Sequence, residues 1–91
     1  MEKTIDNIIK EITYNIANID RILPIGVDCN TYIIYISNKG EEELNLCLAK
    51  ICYILSSLNH YTNYKIGDVH IDISDNNYYI ELIINRISKE N

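Results

Sequence analysis

Residues 65 to 87 carry apolar and polar side chains in alternation along two arms, and only a β-hairpin lets both arms bury one side while wetting the other. Val69, Ile71 and Ile73 alternate with Asp68, His70 and Asp72. Beyond Ser74-Asp75-Asn76-Asn77, the residues Tyr78, Ile80, Leu82 and Ile84 alternate with Tyr79, Glu81, Ile83 and Asn85, the period of two that defines a strand. With Asp75-Asn76 at the tip of the turn, Ile73 is expected opposite Tyr78, Ile71 opposite Ile80 and Val69 opposite Leu82, on one apolar face. The other face then pairs Asp72 with Tyr79, His70 with Glu81 and Asp68 with Ile83. Gly67 interrupts the alternation, and a bulge there would return Ile66 to the apolar side.

The remainder of the chain supplies what the hairpin needs to cover that face. Ile5, Ile8, Ile9, Ile12, Ile16 and Ile19 recur at helical spacing behind Thr4, a good N-cap, with Asp6 in the first turn. Pro24 disfavours helical backbone at Leu23, so this helix is expected to end near Arg21 or Ile22. Tyr32 to Ile36 reads as a strand closed by Asn38-Lys39-Gly40, with Tyr32, Ile34 and Ile36 on one side and Ile33 and Tyr35 on the other. A second helix is expected to start near Glu41-Glu42-Glu43, its stripe running through Leu44, Cys47, Leu48, Ile51, Ile54, Leu55 and Leu58. Residues 25 to 29 offer one more short strand, pairing with Tyr32 to Ile36. The expected fold is α+β: one domain spanning 1–91, two helices on one face of a three- to four-stranded, mainly antiparallel sheet, in the order α-β(β)-α-β-β. Asn30 to Ile36 aligns loosely with Asn76 to Leu82, a correspondence compatible with a duplicated αββ unit.

Charge narrows the partners. Thirteen acidic residues against eight basic ones leave a formal charge of -5, a field that repels phosphate backbones and attracts basic surfaces. The basic residues are scattered, so direct nucleic-acid binding is not expected. Three cysteines, Cys29, Cys47 and Cys52, are an odd number with no CxxC spacing, which fits reduced thiols and a cytoplasmic location. No apolar run approaches the roughly 18 residues of a membrane span, and no membrane partner is expected. Ile is the commonest residue and Asn and Tyr are abundant, the usage of a low-GC bacterium, phage or virus.

Two constellations could carry function. Asp68, His70 and Asp72 share one strand face with Glu81 across the hairpin, a set of hard-metal donors. Strand neighbours on one face lie about 6 to 7 Å apart, however, so Asp68 and Asp72 reach a common ion only if the strand bends strongly. The second constellation is apolar: Ile33, Tyr35, Tyr79 and Ile83 stand among those same acids on the side away from the helices, and an apolar patch of that kind needs a partner. The sequence therefore points to a small, acidic, non-enzymatic protein-binding module, a homodimer or a phage- or virus-encoded inhibitor that covers a basic surface of its target. Its interface is expected at Ile33, Tyr35, Asp68, His70, Asp72, Tyr79, Glu81 and Ile83, with no cofactor. The alternatives are a metal-dependent enzyme or metal sensor built on Asp68, His70, Asp72 and Glu81, and a small-ligand sponge lined by Tyr35 and Tyr79.

Overall fold

The computed structural model describes residues 4–87. In chain order it comprises helix α1 (Ile5–Thr13), strands β1 (Ala17–Ile25) and β2 (Thr31–Asn38), helix α2 (Leu44–Leu58), and strands β3 (Tyr64–Ser74) and β4 (Asn77–Arg86). The four strands form one sheet in the order β1-β2-β4-β3, and every neighbouring pair is antiparallel. Both helices pack on the same side of it.

The C-terminal hairpin has the register that alternation predicts. Ile73 pairs with Tyr78, Ile71 with Ile80 and Val69 with Leu82, and the ladder slips between Ile66 and Asp68 where Gly67 forms the bulge. Asp75 turns the chain with a φ of 55°, a left-handed conformation that Asp tolerates better than most residues. Buried Asn38 anchors this tip to the rest of the fold. Its side-chain amide donates to the carbonyls of Gly40 and of Asn76 (2.9 Å) and to Oδ1 of Asn77 (3.3 Å), and its Oδ1 accepts the Tyr78 amide at 3.2 Å.

The first helix departs from expectation. Thr4 caps it, its hydroxyl oxygen accepting from the Asn7 amide at 3.3 Å, but α1 stops at Thr13 rather than near Arg21. Thr13 turns its hydroxyl back on the Ile9 carbonyl at 2.7 Å, and Asn15 adopts a φ of 63°. Three consecutive residues of modest helix propensity, Thr13-Tyr14-Asn15, thus end the helix. The chain then enters a long strand in place of the expected helical turns and of the short strand expected at 25 to 29: β1 begins at Ala17, and residues 26 to 30 are loop. The helical spacing of these isoleucines has a geometric origin. A register shift between Ile19 and Arg21 makes Asp20 a bulge residue, so Ile19 and Ile22 both face the helices at the i, i+3 spacing of a helix. Pro24 is accommodated because β1 is a sheet edge, where its missing N–H need not join a ladder.

The core lies between the helices and the sheet: Ile5, Ile8, Ile9 and Ile12 of α1; Cys47, Ile51, Ile54 and Leu58 of α2; Ile34, Ile36, Tyr78, Ile80, Leu82 and Ile84 of the central strands. The expected stripe of α2 is rotated, with Leu44 and Leu48 left about half exposed. Ile71 points to the helix side as its register requires, yet remains 42% exposed because α2 does not reach the outer margin of β3. It is not the core residue that alternation alone suggests. The numerical offset that relates Ile34 to Ile80 also relates Ile36 to Leu82, and these residues pair crosswise, Ile34 with Leu82 and Ile36 with Ile80. That is the arrangement two copies of an αββ unit would adopt around the Tyr35–Glu81 pair.

Candidate functional site

With both helices on one side, the opposite face of the sheet carries only its own side chains among the described residues. Side chains alternate across the sheet, so the register alone sorts this face into rows. The central row runs Arg21, Tyr35, Glu81, His70 from β1 to β3. Toward the hairpin tip lies Asn18, Ser37, Tyr79, Asp72; on the other side lies Leu23, Ile33, Ile83, Asp68; then Ile25, Thr31, Asn85, Lys65. All eight interface residues expected from sequence, Ile33, Tyr35, Asp68, His70, Asp72, Tyr79, Glu81 and Ile83, therefore share one face, in three consecutive rows. Arg21, Leu23 and Asp20 join them, and sequence periodicity missed these three because it carried the first helix on to Arg21 or Ile22 and left Leu23 in the break before Pro24. The break at Tyr14-Asn15 was the available signal.

The central row is coupled. The Arg21 guanidinium carbon lies 5.4 Å from the Tyr35 ring centroid, within cation–π range. On the other side stands the cross-strand Glu81, which pushes the Tyr35 hydroxyl above its ordinary pKa by offering an acceptor to the phenol, helped by partial desolvation and by the Glu81 charge and opposed by Arg21. A phenol that keeps its proton is a hydrogen-bond donor at neutral pH. In the adjoining row toward the hairpin tip, Ser37 donates to Oδ1 of the bulge residue Asp20 at 3.2 Å. Asp20, Tyr35, His70, Asp72, Tyr79 and Glu81 are the principal side chains around a shallow open cleft of about 240 Å³.

No family profile matches the chain, and no curated protein is detectably similar to it.

The chemistry of the face is set by its rows. Asp68 and Asp72 lie on either side of His70 along β3, and among the described residues no three His, Cys, Asp or Glu side chains converge as metal ligands would. A nucleophile with a base and an orienting acid is likewise not assembled there, since Ser37 is engaged by Asp20 and His70 lies across two strands from it. What the face does offer is area: Leu23, Ile33 and Ile83 form an apolar row, Tyr79 is 55% exposed, and four carboxylates (Asp20, Asp68, Asp72, Glu81) outnumber the fixed cations Arg21 and Lys65. Of the cysteines, Cys47 is buried, while Cys29 and Cys52 are exposed and lie off this face. None of the described helices is long and apolar enough to cross a membrane.

Proposed function

We propose that this chain is a non-catalytic protein-binding module that covers a basic surface of its target with the open face of its sheet, and acts as an inhibitor by occluding it. The carrying observation is that, among the described residues, one whole side of a four-stranded sheet is left without a covering layer, with Ile33, Tyr35, Tyr79 and Ile83 on its central strands beside Glu81 and with Asp20, Asp68 and Asp72 on its edge strands. Aromatic and aliphatic groups of this kind supply affinity when desolvated, and the surrounding charges steer the encounter and select against acidic partners. The cleft between Tyr35 and Tyr79 supports the same reading. At about 240 Å³ it is smaller than the roughly 300 to 1,000 Å³ of most ligand sites, and it suits one lysine or arginine side chain set against tyrosine faces and carboxylates.

Affinity capture with wild-type protein and with Tyr35→Ala/Tyr79→Ala, both confirmed to be folded, tests this. The expected result is a basic partner retained by the wild type, released progressively by salt and lost with the double variant. Equal retention by the two proteins would overturn the assignment to this face.

A further inference from the structure

The two edges of the sheet are built differently. Edge strand β1 carries a bulge at Asp20 and Pro24, both of which discourage pairing with another strand. Edge strand β3 has no such guard from Asp68 to Ser74, a stretch without glycine or proline that stays in continuous register with β4. Its helix-side flank is also unfinished. Tyr53 and Ser57 of α2 border a hollow shared with Glu11 and Ile12 of α1, so that flank of α2 faces α1. At 100° per residue Leu44 and Leu48 fall on the opposite flank, the one away from α1 and turned toward the β3 side of the sheet. Leu44 (50% exposed), Leu48 (43%) and Ile71 (42%) are thus left as exposed apolar groups on the side of the β3 edge, which no other described strand pairs.

We propose that this edge pairs with β3 of a second copy of the chain, antiparallel and centred on Ile71, to give a continuous eight-stranded sheet. The charge pattern selects both the occupant and the register. Centring on Ile71 places Asp72 opposite His70 of the second copy, and His70 opposite its Asp72, while Val69 and Ile73 meet on the apolar side. Centring on His70 would set Asp68 against Asp72 twice, and centring on Asp72 would set that carboxylate against itself. Centring on Val69 would draw the Gly67 bulge into the ladder. The two-fold axis stands perpendicular to the sheet, so the helix layers of both copies lie on one side, with Leu44, Leu48 and Ile71 of each copy on the side of the axis. The two open faces become one surface with two copies of every row. Edge pairing is independent of the proposed target, and salt separates the two: copies that each carry -5 repel at long range, so self-association should strengthen with salt whereas capture of a basic partner weakens.

A charge-swap experiment reads the register directly. In sedimentation velocity the wild type should dimerise, and His70→Asp, which places Asp opposite Asp72 at both seam positions, should associate about tenfold or more weakly. Asp72→His, which sets His against His, should be weakened as well. Mixing the two variants should restore a dimer containing one of each, because every Asp then meets a His. Ile71→Lys is the second probe and should also yield monomer, with circular dichroism confirming that each variant is folded. A wild type that stays monomeric at its highest soluble concentration would overturn the proposal. So would a His70→Asp protein that dimerises undiminished, or a mixture of the two variants that does not associate.

Discussion

Tyr78→Phe should stabilise this protein, contrary to the usual outcome of altering a fully buried residue. The Tyr78 ring is completely enclosed on the helix side of β4, and its hydroxyl has no hydrogen-bond partner among the described residues. Close by in charge is Glu42, itself buried, whose Oε2 lies 2.8 Å from Lys50 Nζ without a well-aligned hydrogen bond to either carboxylate oxygen. Burial, then the Glu42 charge, then Cys47 push the Tyr78 hydroxyl up to about 12 from its ordinary 10. Leaving a buried hydroxyl unpaired costs about 1 to 3 kcal/mol, whereas Phe retains the ring and loses only the oxygen. After allowing for the small void the oxygen leaves, the gain should be about 1 kcal/mol, which in a domain of this size raises Tm by about 4 to 8 °C.

The same residue fixes an alkaline dependence. Between pH 10 and about 12 the unfolded chain releases the Tyr78 proton while the folded chain holds it, so the folded state binds more protons and stability falls as pH rises. Two pH units of displacement correspond to at most about 2.7 kcal/mol, and residual solvent screening lowers this to roughly 1 to 2 kcal/mol. Since the chain has eight tyrosines, the informative quantity is the difference between wild type and Tyr78→Phe in urea unfolding at pH 8 and pH 11, which should widen with pH. A variant less stable than wild type by 1 kcal/mol or more at pH 8, or a difference that does not change with pH, would refute the reasoning.

Other perturbations act on particular contacts. Asn38→Ala removes the side chain that ties the hairpin tip to residues 38–40 and leaves the Tyr78 amide unpaired; the loss should be roughly 2 to 4 kcal/mol, with amide exchange at Tyr78 accelerated beyond the global change. Ile80→Ala should cost about 2 to 5 kcal/mol in chemical denaturation, and Ile71→Ala about 1 kcal/mol or less, because the two paired residues differ in cover and not in register. Asp68→Asn/Asp72→Asn should leave Tm within a few degrees of wild type but slow the association of a basic partner and flatten its salt dependence in surface plasmon resonance. His70→Gln, at an exposed position opposite Glu81, should change stability by no more than about 1 kcal/mol in thermal denaturation.

The C-terminal hairpin was legible because the information that specifies it is local. Alternation from Asp68 to Asn85, a two-residue turn and one bulging glycine suffice to pair Ile73 with Tyr78 and His70 with Glu81 before anything else is known. Alternation likewise assigned Ile33 and Tyr35 to the side away from the core. That is why the eight residues expected at an interface do lie on one face.

The N-terminal third was not legible in the same way. Ile12, Ile16, Ile19 and Ile22 have spacings that satisfy a helix, and equally a helix followed by a strand with one extra residue at Asp20. Side-chain pattern alone cannot distinguish these alternatives, because a bulge shifts a period of two by one position and so imitates a period near three and a half. Pairing with β2 decides between them: as a strand, Ala17 to Ile25 places Ile19 and Ile22 beside Ile36 and Ile34 and fills the second edge of the sheet. Only that assembled sheet puts Arg21 over Tyr35 and Leu23 beside Ile33. The cover over each strand was also a tertiary outcome. Ile71 and Ile80 are equivalent in sequence pattern, and what separates the exposed residue from the buried one is how far α2 reaches across the sheet, a matter of helix packing that no local period encodes.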